Sequence, residues 1–139
     1  MGLTEATVFD LLETVDNEGR PLRTSRRMFG LLARQVAGSM AVTARDGQGR
    51  LAAVAGLWPE VDHVEAWFAA GPAFSHAACR ALRRALLAVA GDGELGEIRA
   101  YLHPSSVAGQ RLAAVFGFIP AGETDGPFGR QPVFVRRFA

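Results

Sequence analysis

The sequence predicts an α/β fold, with α and β elements layered about one central mixed β-sheet flanked by helices. Three observations predict it. Two β-type runs at 39–45 and 50–57 are joined by a turn signal, the chain from 63 onward reads strand, helix, strand, helix, strand, and the helical stretches repeat their apolar residues at helical spacing. At 139 residues the chain has the length of a single domain, 1–139, and folding at that size removes roughly two-thirds of the unfolded surface from water. Hydrophobic residues make up 49% and charged residues 21% of the chain, the balance of a protein that buries a core.

Taken in order, Val8, Leu11, Leu12 and Val15 fall on one face of a helix predicted over 4–15, with Thr4 as N-cap and Glu5 in its first turn. Asp16-Asn17-Glu18-Gly19-Arg20-Pro21 reads as a loop. Ser25 caps a second helix that carries Met28, Phe29, Leu32 and Val36 on one face and ends at Gly38. The two β-type runs follow, joined by Asp46-Gly47-Gln48-Gly49, a hairpin signal. Trp58-Pro59-Glu60 breaks the second run, and 63–68 alternates as a third strand with Glu65 and Trp67 on one face. Gly71-Pro72 ends it. The longest helical pattern starts at Phe74, with Phe74, Ala78, Ala81, Leu82, Ala85 and Val89 inward and Arg80, Arg83 and Arg84 outward, and stops at Gly91 and Gly93. A strand at 97–102 leads through Pro104-Ser105-Ser106 into a helix expected to bury Ala108, Leu112, Val115 and Phe116 and to end at Gly117. The tail reads as a strand at 118–120, a polar Gly/Pro loop that includes 125–132, and a strand at 133–138.

The net charge of +1 gives no field to draw in a polyanion, so no nucleic-acid partner is expected. All fifteen basic residues are arginine, which excludes any mechanism built on a lysine nucleophile. Cys79, the single cysteine, has no internal disulfide partner, and the N-terminal segment lacks the basic and apolar regions of a secretory signal. A cytoplasmic setting is expected, and no apolar run has the length of a membrane span.

The segment 99–122, with its strand, its Ser105-Ser106 helix start and its Val115-Phe116-Gly117-Phe118-Ile119-Pro120-Ala121-Gly122 ending, resembles the last strand-helix-strand unit of the GNAT N-acetyltransferase superfamily. The hairpin, the third strand and the long helix stand in that superfamily's order, so the resemblance covers 24–139. A closer likeness is to a small divergent branch found in phages and prophages, which includes internal virion components. It rests on Glu65-Ala66-Trp67, Gly117-Phe118, and Gly126-Pro127-Phe128-Gly129 running to Phe134 and Phe138. The resemblance implies an acetyl-CoA cleft between two splayed parallel strands, 63–68 and 97–102. It also implies a pantetheine arm held by the main chain at Trp67, Phe68 and Ala69, and a pyrophosphate held by backbone N–H groups in the segment Phe74, Ser75, His76, Ala77, Ala78. The ligand is acetyl-CoA or CoA and the acceptor an unidentified amine. A homodimer is left open, as is a virion-associated location.

The chain departs from the superfamily pattern in two places. Phe74 occupies an Arg or Gln position of the phosphate loop, Ala77 a Gly position and Cys79 its last small-residue position, while Ala113 stands where many active members carry the Tyr that protonates the leaving thiolate. The expected activity is therefore N-acetyl transfer, with a degenerate GNAT-fold binding or virion-associated component as the alternative. Glu65 is the candidate general base, against a strand glutamate paired with an arginine. His76 either meets a phosphate or faces solvent, and Ser106 either caps a helix or touches the cofactor. Ser105 and Ser106 lie near His103, but no G-x-S-x-G elbow is present. Cys79 reads as a small core residue or an acyl-carrying thiol, and the arginine cluster as a solvated face or a contact for the adenosine phosphate. His63, His76 and His103 lack metal-ligand spacing, so no metal site is expected.

Overall fold

The computed structural model describes every residue except Met1, Asn17, Asp92, Glu94, Phe128 and Ala139. Asn17 of the predicted loop and Phe128 of the Gly/Pro segment thus lie outside the described residues. The elements are β1 (Gly2–Glu5), α1 (Val8–Leu11), α2 (Arg26–Gly38), β2 (Met40–Arg45), β3 (Leu51–Pro59), β4 (Val64–Ala70), α3 (His76–Ala90), β5 (Glu97–Tyr101), α4 (Val107–Val115), β6 (Ile119–Gly126) and β7 (Gly129–Arg137). The strands form a mixed seven-stranded sheet in the order β1-β2-β3-β4-β5-β7-β6. Two compact units make up the chain, Met1–Trp58 with Trp67–Leu87 and Pro59–Ala66 with Ala88–Ala139.

In the first unit β2 and β3 form the predicted hairpin, with Met40 opposite Leu57 and Thr43 opposite Val54. Its turn is held by the Asp46 carboxylate, which accepts from the N–H groups of Gln48 and Arg50, each at 2.9 Å. Ser25 caps α2 as expected, its hydroxyl accepting from the Met28 N–H at 3.1 Å. Leu32 and Val36 pack with Trp67 and Ala69 against Ala6, Leu11, Ala41, Leu51 and Val54. Ala44, Ala52 and Ala78 form a second buried cluster with Leu3 against it.

The helix predicted over 4–15 is a correction. Residues 2–5 form β1, antiparallel to β2 with Gly2 opposite Arg45 and Glu5 opposite Val42, and only Val8–Leu11 is helical. The β2 edge offers β1 a ladder of backbone bonds that local periodicity cannot register. Further adjustments are smaller. β3 runs through Trp58 to Pro59, β4 is shifted toward Ala70, and α3 starts at His76 with Phe74 and Val89 exposed. Met28 on α2 is exposed as well.

In the second unit β4 and β5 run parallel, with Val64 opposite Ile98 and Glu65 opposite Arg99. β5 is antiparallel to β7 from Glu97 opposite Arg137 to Tyr101 opposite Val133. The tail, expected as strand, loop and strand, is the β6–β7 hairpin, in which the strands extend into the expected loop and leave its tip at Gly126 and Gly129. Its Gly and Pro residues suggested a loop; Pro120, Gly122 and Gly126 lie on edge strand β6, where a missing N–H interrupts no central ladder, and Pro132 of β7 lies opposite Glu123, next to the register shift between Pro120 and Glu123. In α4, Ala113 is buried, whereas Ala108 and Val115, expected inside, are exposed. Gly117 ends α4 with φ +83°, a conformation that favours glycine, and the Arg136 guanidinium donates to the Phe116 carbonyl at the helix end.

Candidate functional site

The second unit places a row of polar side chains beside the parallel ladder. Partners in a parallel pair point to the same side, so Glu65 and Arg99 share a face, and alternation along β5 adds Glu97 and Tyr101 to it. Arg99, the arginine best placed to pair with Glu65, is bonded through Nε to Glu97, which also accepts from Arg137 Nη2 at 3.0 Å. Arg99 above all, and Arg137 after it, hold the Glu97 carboxyl below the usual carboxylate range. In return Glu97 and Tyr101 raise the Arg99 guanidinium.

Glu65 keeps 36% of its side chain exposed, and its Oε1 lies 3.8 Å from Nε2 of His63. The His63 ring is only 10% exposed, and its Nδ1 donates to Asp62 Oδ1 at 2.6 Å. That hydrogen bond is the main reason the Asp62 carboxyl sits below its ordinary range, with the Arg99 charge adding to it. His63, Asp62, Glu97, Arg99 and Tyr101 were not among the candidate site residues read from the sequence. The Glu97-x-Arg99-x-Tyr101 alternation was the available signal for the last three.

The first unit holds the start of α3 and the end of β4. Trp67 donates its indole N–H to Ser39 Oγ at 2.9 Å, and its ring lies on Gly56, where a Cβ would come within 2.4 Å of the indole. Phe68 meets Phe74 edge to face, with ring centroids 5.6 Å apart. The chain between β4 and α3 is tied to β3 through Gly71 N–H to Ala52 O and Ala73 N–H to Leu51 O, each at 2.9 Å. Ser75 then acts as the N-cap, its Oγ accepting from the Ala78 N–H at 3.2 Å. Of the N–H groups expected to face a pyrophosphate, that of Ala78 is thus engaged by Ser75 and that of Phe74 by the Gly71 carbonyl at 3.2 Å. His76 and Ala77 occupy the first two helical positions, are exposed, and have no earlier helical carbonyl to bond.

The remaining candidates resolve on local geometry. Ser106 caps α4 by accepting from the Gly109 N–H at 3.0 Å. Ser105 Oγ lies 2.8 Å from His103 Nδ1, and the same nitrogen accepts from the Ser105 N–H at 3.2 Å, a turn contact two residues long. Cys79 is buried and burial raises its thiol pKa, opposite to what an acyl-carrying thiolate needs. Arg80, Arg83 and Arg84 are exposed on α3.

No protein-family model matches the chain, and no curated protein matches it in sequence. Solved structures do. It is similar to a GNAT-superfamily phosphinothricin acetyltransferase from Sinorhizobium meliloti in complex with acetyl-CoA, at 16% identity and TM-score 0.69, over 99% of this chain and 88% of that one. The chain carries the GNAT acetyltransferase fold. A ribosomal-protein-S5-alanine acetyltransferase from Vibrio fischeri is 11% identical at TM-score 0.67, over 97% of this chain and 91% of that one. An aminoglycoside acetyltransferase in complex with coenzyme A is 17% identical at TM-score 0.68, over 97% of this chain and 93% of that one. Among the described residues no helix is long and apolar enough to cross a membrane.

Proposed function

We propose that this protein binds acetyl-CoA and transfers the acetyl group to an amine, with Glu65 as the general base. The observation that carries the reading is the parallel β4–β5 ladder. It holds a partly exposed carboxylate two residues before Trp67, Phe68 and Ala69 in a chain with the GNAT fold. In this reading the main chain of those three residues holds the pantetheine arm. The α3 start, with Phe74 and Ser75 beside it, takes the pyrophosphate through the N–H groups of His76 and Ala77 and the positive end of the helix dipole, the Phe74 N–H being bonded to the Gly71 carbonyl. Ala78 contributes only if the Ser75 hydroxyl yields its N–H. Ser106 has a hydroxyl proton left to donate while it caps α4.

Glu65 removes a proton from the acceptor ammonium, which frees the nitrogen lone pair to attack the thioester carbonyl. Ala113 supplies no hydroxyl, so water protonates the leaving thiolate and turnover is slow. A second reading draws on the same residues. Ala113 and the Ser75 cap over Ala78 favour a GNAT-fold protein kept for binding, such as the phage-type virion component that the sequence resembles. Calorimetry with acetyl-CoA, followed by a panel of amines assayed for CoA thiol release, tests both. Saturable binding with slow transfer is expected. Binding without transfer to any amine selects the binding protein, and no binding of acetyl-CoA or CoA retires the acetyl-transfer reading.

A further inference from the structure

Among the described residues one buried side-chain polar atom has no hydrogen-bond partner, His63 Nε2. An unmet acceptor inside a protein costs stability and calls for an explanation, catalytic use being one of the recognised ones. Asp62 and Glu65 supply it. An ionised carboxylate can only accept, so the 2.6 Å contact to Asp62 Oδ1 fixes the ring proton on Nδ1 and leaves a lone pair on Nε2. Glu65 Oε1 lies 3.8 Å from that nitrogen, too far for a hydrogen bond. Two acceptors face each other there and repel while Glu65 is ionised. Once Glu65 gains a proton, its O–H can donate to Nε2 after a side-chain movement of about 1 Å.

We propose that Asp62 and His63 form a relay that takes from Glu65 the proton it removes from the acceptor amine, an inference that rests on the acetyl-transfer reading. The reaction requires such an exit. The acceptor ammonium gives one proton to Glu65, the amine nitrogen forms a bond to the thioester carbonyl carbon, and the carbon–sulfur bond breaks with its electron pair on sulfur. The second nitrogen proton is lost as the amide forms and balances the proton taken up by the CoA thiolate. One proton per acetyl group is left on Glu65 and must reach solvent before the next turnover. It passes to His63 Nε2, and the resulting imidazolium, stabilised through its Nδ1–H by the ionised carboxylate of Asp62, whose side chain is 72% exposed, gives the Nε2 proton to solvent once product leaves, which restores the Nδ1–H tautomer. Arg99 acts on Asp62 through its charge and is itself tied to Glu97, so Asp62 remains an ionised acceptor. His63 is a positioning and relay residue, because it acts on the substrate only through Glu65.

The test combines kinetics with imidazole nitrogen NMR on the full chain. His63→Gln should lower kcat at least about tenfold, within the range of a lost proton-transfer partner, and leave KM for acetyl-CoA and amine within about twofold. Asp62→Asn, at an exposed position that leaves the core untouched, should lower kcat in the same direction and guards against a misfolded His63 variant. In the wild-type spectrum His63 should be protonated at Nδ1. An Nε2–H tautomer overturns the relay whatever the activity, since that nitrogen could not then accept. Unchanged kcat in both variants overturns the relay while acetyl transfer stands. Absence of transfer in the wild type retires reaction and relay together.

Discussion

At the scale of single residues two carboxylates of one sheet face differ in their surroundings. Glu97 is bound by two arginines, whereas Glu65 faces a histidine across 3.8 Å and stays partly exposed. Glu65→Gln keeps the shape and removes the proton acceptor. We expect kcat to fall at least about tenfold, because a general base contributes roughly a hundred- to ten-thousandfold. Stability should change by less than about 1 kcal/mol, as for other partly exposed charges. Rates and a urea midpoint measured on one preparation check both, and a mutant with full activity would remove Glu65 from the mechanism. The sequence offered Glu65 through strand alternation alone. The Glu97-x-Arg99 alternation put that pair on one face, but the sequence offered no sign that Arg137 of β7 would join it, because that depends on which strand lies beside β5.

At the scale of elements the start of α3 is the informative part. Ser75 was expected among the ligand contacts, and it caps the helix, so the donors left for an anion are concentrated at His76 and Ala77. Ala77→Pro removes one of them at the second helical position, where proline's fixed φ is tolerated and no helical bond is lost. Binding of CoA measured by calorimetry should fall at least about tenfold, the loss of roughly one charge-assisted hydrogen bond, with the far-ultraviolet spectrum unchanged. Equal affinity in a folded mutant would place the phosphates elsewhere. The helix itself was legible, since its apolar period, the Ser at its start and the glycines after it are local signals. Its first residue was not, because Phe74 matches the helical period yet packs its ring on Phe68 outside the helix.

At the scale of the whole molecule stability should weaken in acid, and the carboxylates say in which direction. Burial pushes the Asp10 carboxyl up, but the Thr7 N–H, Arg45 and Thr43 together outweigh it and hold its pKa below the ordinary value. Arg45 does the same for Glu13, and Arg99 for Glu97. A group with a depressed folded-state pKa stabilises fully above its unfolded value, and the contribution is lost as pH falls through the folded value. The urea midpoint should therefore be flat from neutrality to about pH 5 and drop below about pH 4. In Asp10→Ala, which leaves Arg45 and the Thr43 hydroxyl without a carboxylate they now share, the midpoint at neutral pH should fall and the acid drop should be shallower. A midpoint that rises on acidification would show that other groups dominate.

The sequence by itself determined what short-range physics controls. The Asp46 turn set the hairpin, Ser25 and Ser106 set two helix starts, Gly117 set a helix end, and hydrophobic spacing set the order of elements. Tertiary structure decided where strands find partners. Residues 2–5 became β1 because the β2 edge was open to them, and 119–126 became β6 because β7 lay beside it, choices between ladder bonds and helix bonds that a local pattern cannot rank. It also decided the surroundings of Glu65. Parallel pairing brings Arg99 level with it from more than thirty residues away, and burial leaves His63 Nε2 without a partner 3.8 Å from its carboxylate. Proton chemistry depends on such distances, and they exist only after the sheet has closed its ladders.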